Sequence, residues 1–168
     1  MDALVVYESM YGNTKQIAEA VAEGLASRVR TEVVEVGSAP AQVGPEVGLL
    51  VVGGPTHAFS MSRASTRRSA AEQATEPLVS LRHGVREWLA TLRTSSARLG
   101  SAAFDTRIAK PRMPGSAARG IAKRLRRLDI GAVAKAQSFY VTGGQGPLVE
   151  GELERHRLGA TPPGALRR

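Results

Sequence analysis

The 168-residue sequence predicts a three-layer α/β/α sandwich built on a five-stranded parallel sheet, and three observations carry that expectation. Short, valine-rich apolar runs recur along the chain, as buried parallel strands require. Stretches with apolar residues at helical spacing fall between several of these runs. Clusters of Gly, Pro, Ser, Thr and Asn stop most of the runs. Strands and helices in alternation imply right-handed crossovers and a parallel sheet covered on both faces.

Ala3-Leu4-Val5-Val6-Tyr7 is the first strand, and Glu8 to Thr14 are turn formers. Ile17, Val21 and Leu25 then recur every fourth residue beside Ala18 and Ala22, which predicts an amphipathic helix with Lys15, Gln16, Glu19 and Glu23 on its wet side. Residues 31–36 are the second strand. Residues 47–52 are the third, stopped by Gly53-Gly54-Pro55. Residues 56–80 lack clear periodicity and are rich in Ser, Thr, Ala and Arg, so they are expected to form a long functional or mobile loop. Val85, Trp88, Leu89 and Leu92 mark the next helix. Leu99 to Phe104 form a fourth strand of mostly small residues, and 105–114 read as loop. Ile121, Leu125 and Leu128 mark a helix whose other face carries Arg119, Lys123, Arg124, Arg126 and Arg127. Ser138 to Thr142 are the fifth strand, ended by Gly143-Gly144-Gln145-Gly146-Pro147. A short helix at about 149–158 closes a single domain of residues 1–158, and a Pro/Gly tail at 159–168 is expected to fray.

Hydrophobic residues make up 42% of the chain and charged residues 23%, a balance that argues against disorder of the whole. No apolar run approaches the roughly 20 residues of a membrane helix, and Met1-Asp2-Ala3-Leu4, with no basic segment ahead of its apolar run, does not read as a signal peptide, so a cytoplasmic setting is expected. The absence of cysteine excludes thiolate nucleophiles, disulfides and cysteine-held clusters. His57, His83 and His156 are far apart and form no metal-binding spacing, so no metal is expected. A formal net charge of +8 suggests attraction to anions. Nucleic acid is not the favoured partner, because aromatics are 4% of the residues and do not interleave with the basic ones.

The chemistry concentrates at Ser9-Met10-Tyr11-Gly12-Asn13-Thr14, between the first strand and the first helix. Such a junction turns backbone N–H groups outward at the positive end of a helix, where a phosphate can accept several hydrogen bonds. Ser9 and Thr14 add hydroxyl donors, Asn13 an amide, and Gly12 a backbone free to take positive φ. The same residues are good helix caps. The segment lacks GxxxxGK[ST] and GxGxxG, which argues against a triphosphate P-loop and a dinucleotide fingerprint. Mononucleotide binding fits better. No side chain stands out as a catalytic acid, base or nucleophile.

These residues resemble the flavodoxin-like family, whose phosphate loop reads [ST]-x-T-G-x-T. Tyr11 stands where that pattern has its middle threonine. The resemblance spans about residues 2–158 and is most specific at 4–14, 49–60 and 101–107. It implies a flavodoxin-like sheet of order 2-1-3-4-5, with FMN at the switch point between strands one and three. It implies that Pro55, Thr56, His57 and Phe59 line the flavin ring, and that Asp105, Thr106 and Arg107 meet its edge. The family's usual stacking tyrosine and acidic cluster after strand four are missing here. A deazaflavin would present a phosphate to the same loop, so both cofactors stand open at this point.

The resemblance implies electron transfer or a small flavin-dependent reductase, the flavin supplying the chemistry. The expected partner is a redox protein, or a small molecule such as NAD(P)H or a quinone-like acceptor. The alternative is a flavodoxin-like regulatory or adaptor domain without flavin. Positive charge near a flavin raises its potential, so the basic character argues against a low-potential carrier. Arg63, Arg67 and Arg68 are expected to form a mobile lid or to recognise an anion. The basic helix at 119–127 is either a docking face or a solvated one.

Overall fold

The valine-rich run near the amino end becomes the centre of the sheet. In a computed structural model, which describes residues 1–111 and 113–159, β1 (Asp2–Tyr7) pairs in parallel with β2 (Arg30–Glu35) on one side and β4 (Val47–His57) on the other. β4 pairs in parallel with β7 (Gly100–Ile108), and β7 with β9 (Gln137–Val141). The order β2-β1-β4-β7-β9 is the expected 2-1-3-4-5 when the five main strands are counted. The short β8 (Gly131–Ala132) pairs with the start of β7. Outside the main run, β3 (Gln42–Val43) pairs with β6 (Arg93–Thr94), and β5 (Ser60–Met61) folds back antiparallel on β4.

Successive strand side chains point to opposite faces, which splits the apolar runs between two cores. Leu4, Val6, Leu50 and Val52 pack beneath α3 (Val85–Thr91) and α4 (Ala117–Arg127), through Trp88, Leu89, Ile121 and Leu125. Val5, Leu49, Val51 and Phe104 pack beneath α1 (Asn13–Ala26), through Ile17, Ala18 and Leu25. α5 (Glu152–Gly159) lies beside α1. The three layers follow directly from this alternation. Among the described residues, no helix is long and apolar enough to cross a membrane. The tail beyond Gly159 lies outside the described residues.

The structure corrects three expectations. Residues 56–80 are not a structureless loop: they contain β5 and the ten-residue helix α2 (Ala64–Gln73). That helix escapes a periodicity search because it buries only Arg67 and Ala70, so no apolar stripe exists to be read. Residues 54–57 and 105–108, expected as loops, continue β4 and β7 in register, Gly54 opposite Asp105 and Pro55 opposite Thr106. Their polar composition hides the strand, since the sheet here runs past its apolar centre. The fifth strand covers 137–141, and its neighbour β8 is separated from it by four exposed residues, 133–136.

Candidate functional site

β1 ends at Tyr7, opposite Gly53 of β4, which lies opposite Phe104 of β7. Three connections therefore leave the same edge of the sheet, from three adjacent strands. They enclose a cleft of about 300 Å³. Ser9, Met10, Tyr11, Asn13 and Thr14 line it from the first connection, Pro55, Thr56, His57 and Ala58 from the second, and Thr106, Arg107 and Ile108 from the third. Among the described residues, Arg107 is the only one in the lining with a formal charge at neutral pH, and no carboxylate lines the cleft.

The first connection is shaped for close approach. Gly12 takes φ +97°, the left-handed region that favours glycine, and a Cβ there would meet only open space. Glycine is thus needed for the backbone angle and not for room. The Gly12 amide donates to Ser9 Oγ at 3.0 Å, which closes the turn. α1 starts immediately after, and no side chain caps it, so the amides of its first turn have no acceptor within the helix. Thr14 Oγ1 and Thr106 Oγ1 lie 2.7 Å apart and tie the first connection to β7. Asn13 Nδ2 donates to Gln145 O at 3.2 Å.

Two loop residues face away from such a role. Met10 is buried against Ala70 and Leu78. The Tyr11 hydroxyl donates to Ala70 O at 3.0 Å, so it fastens the loop to α2. What Tyr11 loses as a loop hydroxyl, relative to the threonine of the resembled pattern, it supplies as a tether. Two backbone bonds complete the attachment: Val79 N donates to Met10 O at 3.0 Å and Ser80 N to Ser9 O at 2.7 Å.

Strand parity sorts the other candidates. Thr106 points to the α1 face, while Asp105 points to the α4 face and is fully buried outside the cleft lining. Asp105 Oδ2 accepts from Thr56 Oγ1 at 3.1 Å and from Ala118 N at 3.0 Å, at the amino end of α4. Thr56 Oγ1 in turn accepts from Ala117 N at 3.0 Å. A place for Asp105 at a ring edge is therefore not what this geometry offers: it holds Thr56 and α4 from behind. Phe59 is also outside the lining, half exposed at the tip of the β4–β5 hairpin. Arg107 donates to Met113 O while its side chain borders the cleft. His57 Nδ1 lies 3.1 Å from Thr66 Oγ1, and burial, then the charge of Arg67, pushes its pKa below the ordinary imidazole value. It is neutral at neutral pH.

The sequence reading missed the fourth wall. Thr66, Ser69 and Gln73 of α2 line the cleft, as do Val141 and Gly144. Gly143 to Pro147 also follow the carboxyl end of a parallel strand, which was the available signal.

A buried polar cluster under the cleft was also unforeseen. Glu8, directly after β1, is 1% exposed. Its carboxylate accepts from Ser62 Oγ at 2.5 Å and from Val85 N at 2.7 Å. Arg67 donates to Ser62 Oγ at 2.8 Å and pairs with Glu87 at 2.6 Å. A Cβ at Gly84 would meet the ends of the Arg67, Glu8 and Glu87 side chains, so glycine lets the three pack as they do. Burial raises the Glu8 pKa above the ordinary carboxylate value, against the opposing pull of its hydrogen bonds and of Arg67. At Glu87 burial also pushes upward, but the hydrogen bond and charge of Arg67 outweigh it and the pKa falls.

The sign at Glu8 gives a test. Between its unfolded and folded pKa the native state holds more protons than the unfolded one, so stability is lost as pH rises through that window. Glu8→Gln keeps the shape without the charge. We expect urea midpoints of the variant to fall less than those of the parent as pH rises above the ordinary carboxylate range. Identical pH profiles would show that Glu8 does not titrate in this way.

The family model for flavodoxin matches residues 5–84. No curated protein sequence matches the chain. Among solved structures, the chain is similar to flavodoxin 1 of Bacillus cereus, with 13% identity, a TM-score of 0.67, and 95% of each chain covered. It is similar to a flavodoxin from the domain Archaea, with 18% identity, a TM-score of 0.63, and 95% of this chain and 94% of that one covered. It is also similar to the flavodiiron protein of Giardia intestinalis, with 20% identity and a TM-score of 0.58, covering 95% of this chain and 34% of that one.

Proposed function

We propose, from the premise that the chain is a flavodoxin-like protein, that its cleft binds FMN and that the loaded protein transfers electrons. One observation carries the reading: the connections after β1, β4 and β7 converge on a cleft whose lining has hydroxyls, amides and one arginine, and no carboxylate. That donor set fits an anionic ligand.

Ser9, Gly12, Asn13 and Thr14 would hold the phosphate, through the free amides of the first turn of α1 and through the Ser9 and Thr14 hydroxyls. Met10 and Tyr11 contribute backbone to the loop and anchor it on α2. Pro55, Thr56 and His57 would face the ring, with Asp105 fixing Thr56 from below. When bound, the flavin supplies the redox chemistry. The chain's own part is to orient it, exclude water and set the local charge. Arg107 at the cleft favours a negatively charged ligand, and neutral His57 adds no competing charge.

The test is a visible absorption spectrum of the purified protein, with the released cofactor identified by mass. Flavin bands with the mass of FMN are expected. A colourless protein that takes up no added FMN would overturn the reading in favour of a flavin-free adaptor. Stopped-flow mixing with NAD(P)H then separates a small reductase, which is reduced directly, from a carrier that needs a protein partner.

A further inference from the structure

The face of α4 turned away from the sheet carries Arg119, Lys123 and Arg126, all exposed. Across from them lies the exposed segment 133–136, which interrupts the outer strand between β8 and β9 and contributes Lys135. The two elements bound an open groove, floored by Ala132, Val133 and Ala136. A second hollow continues it past Arg119 and Ala136 to Arg107 and Ile108, which also line the cleft. A basic path therefore leads from the cleft along α4.

The charges on this path are unmatched. No carboxylate lines either hollow, and among the described residues none of these five cations has an ion-pair partner. Like charges held together on one face are unfavourable unless an anion joins them. The floor distinguishes the kinds of anion. Alanine and valine between the cations suit an acidic polypeptide that also carries apolar side chains. The Ala-Val-Ala-Lys-Ala stretch at 132–136 offers no ring for a nucleobase to stack on, and the second hollow offers a single one, Tyr140, which the Arg155 guanidinium already approaches at 5.9 Å.

We infer that this groove is a docking site for an acidic segment of a partner protein, which it brings alongside the cleft. The inference deepens the electron-transfer reading and rests on it for the purpose of docking; the binding itself does not require flavin.

The experiment is a calorimetric titration with short poly-L-glutamate, on protein loaded with FMN and on the same protein stripped of it. One variant carries Lys123→Glu, Arg126→Glu and Lys135→Glu. A control carries Arg28→Glu, Arg82→Glu and Arg98→Glu, which are exposed, lie outside the groove and change the net charge equally. We expect binding that weakens with salt, falls ~10-fold or more in the groove variant and changes less than ~3-fold in the control. Equal losses in both variants would reduce the effect to net charge and overturn the site. So would the absence of binding, or tighter binding of duplex DNA than of polyglutamate to the groove. A groove-specific loss in a protein that cannot be loaded with FMN at all would keep the docking site and sink the redox reading.

Discussion

Replacing Arg67 with alanine is expected to destabilise the protein by roughly 1.5–3 kcal/mol, since the guanidinium is buried while its partner Glu87 is about one-third exposed, which places the loss below that of a fully buried ion pair. Arg67 is 4% exposed and pairs with Glu87 at 2.6 Å, so it is neither a lid residue nor free to recognise an anion. Its other amino group donates to Ser62, which donates to Glu8. Without the guanidinium, two carboxylates face each other across a cavity with no cation between them. α2 has little else to hold it, since Ala70 is its only other buried residue. The loss therefore reaches the cleft, because α2 supplies its outer wall and accepts the Tyr11 tether. Urea unfolding at neutral pH measures the effect. Arg68→Ala, one residue on and exposed, is the control and should stay within ~0.5 kcal/mol. A change at Arg67 below ~1 kcal/mol would mean that α2 is held by something other than this pair.

That dependence on a charged anchor explains which parts of the fold the sequence made legible. Ala3 to Tyr7 and the Ile17, Val21, Leu25 stripe can be read because burial of apolar area drives them, and apolar area has a period. The same logic located the Ser9–Thr14 connection, which needs only a strand, a turn and a helix in order. α2 had no such signal, as its inward residue is an arginine whose partner, Glu87, lies 20 residues away. The outer ends of β4 and β7 were hidden for a related reason: Thr56, His57, Asp105 and Thr106 are held by cross-strand pairing and hydrogen bonds and not by burial of apolar groups. Strand parity separates these residues by face. With Phe104 inward toward α1, Thr106 must share that face and Asp105 must oppose it, which separates a residue that can line the cleft from one that cannot.

The tip of the β4–β5 hairpin gives the second large expected effect, of opposite sign. His57 pairs with Ser60, leaving Ala58 and Phe59 as a two-residue turn with φ +45° and +71°. Both values lie in the left-handed region, as in the turn that normally takes Asn-Gly. Each non-glycine residue there costs roughly 1–2 kcal/mol. The surroundings enforce the angles: the Phe59 carbonyl sits over Gly115, itself at φ +77°, so closely that a Cβ on Gly115 would collide with it. The Phe59 ring is half exposed and loses little burial when removed. Ala58→Asn with Phe59→Gly should thus stabilise the flavin-free protein by about 1–2 kcal/mol, each kcal/mol raising Tm by about 2–4 °C. Two non-glycine residues at positive φ beside the cleft are the observation, and a use for the phenylalanine is what they suggest. If the ring shields a bound flavin or meets a partner, the stabilised variant releases FMN faster or docks more weakly while melting higher. A variant that gains stability and keeps both properties would make the phenylalanine incidental. One that gains no stability would show that the left-handed turn carries no strain to relieve.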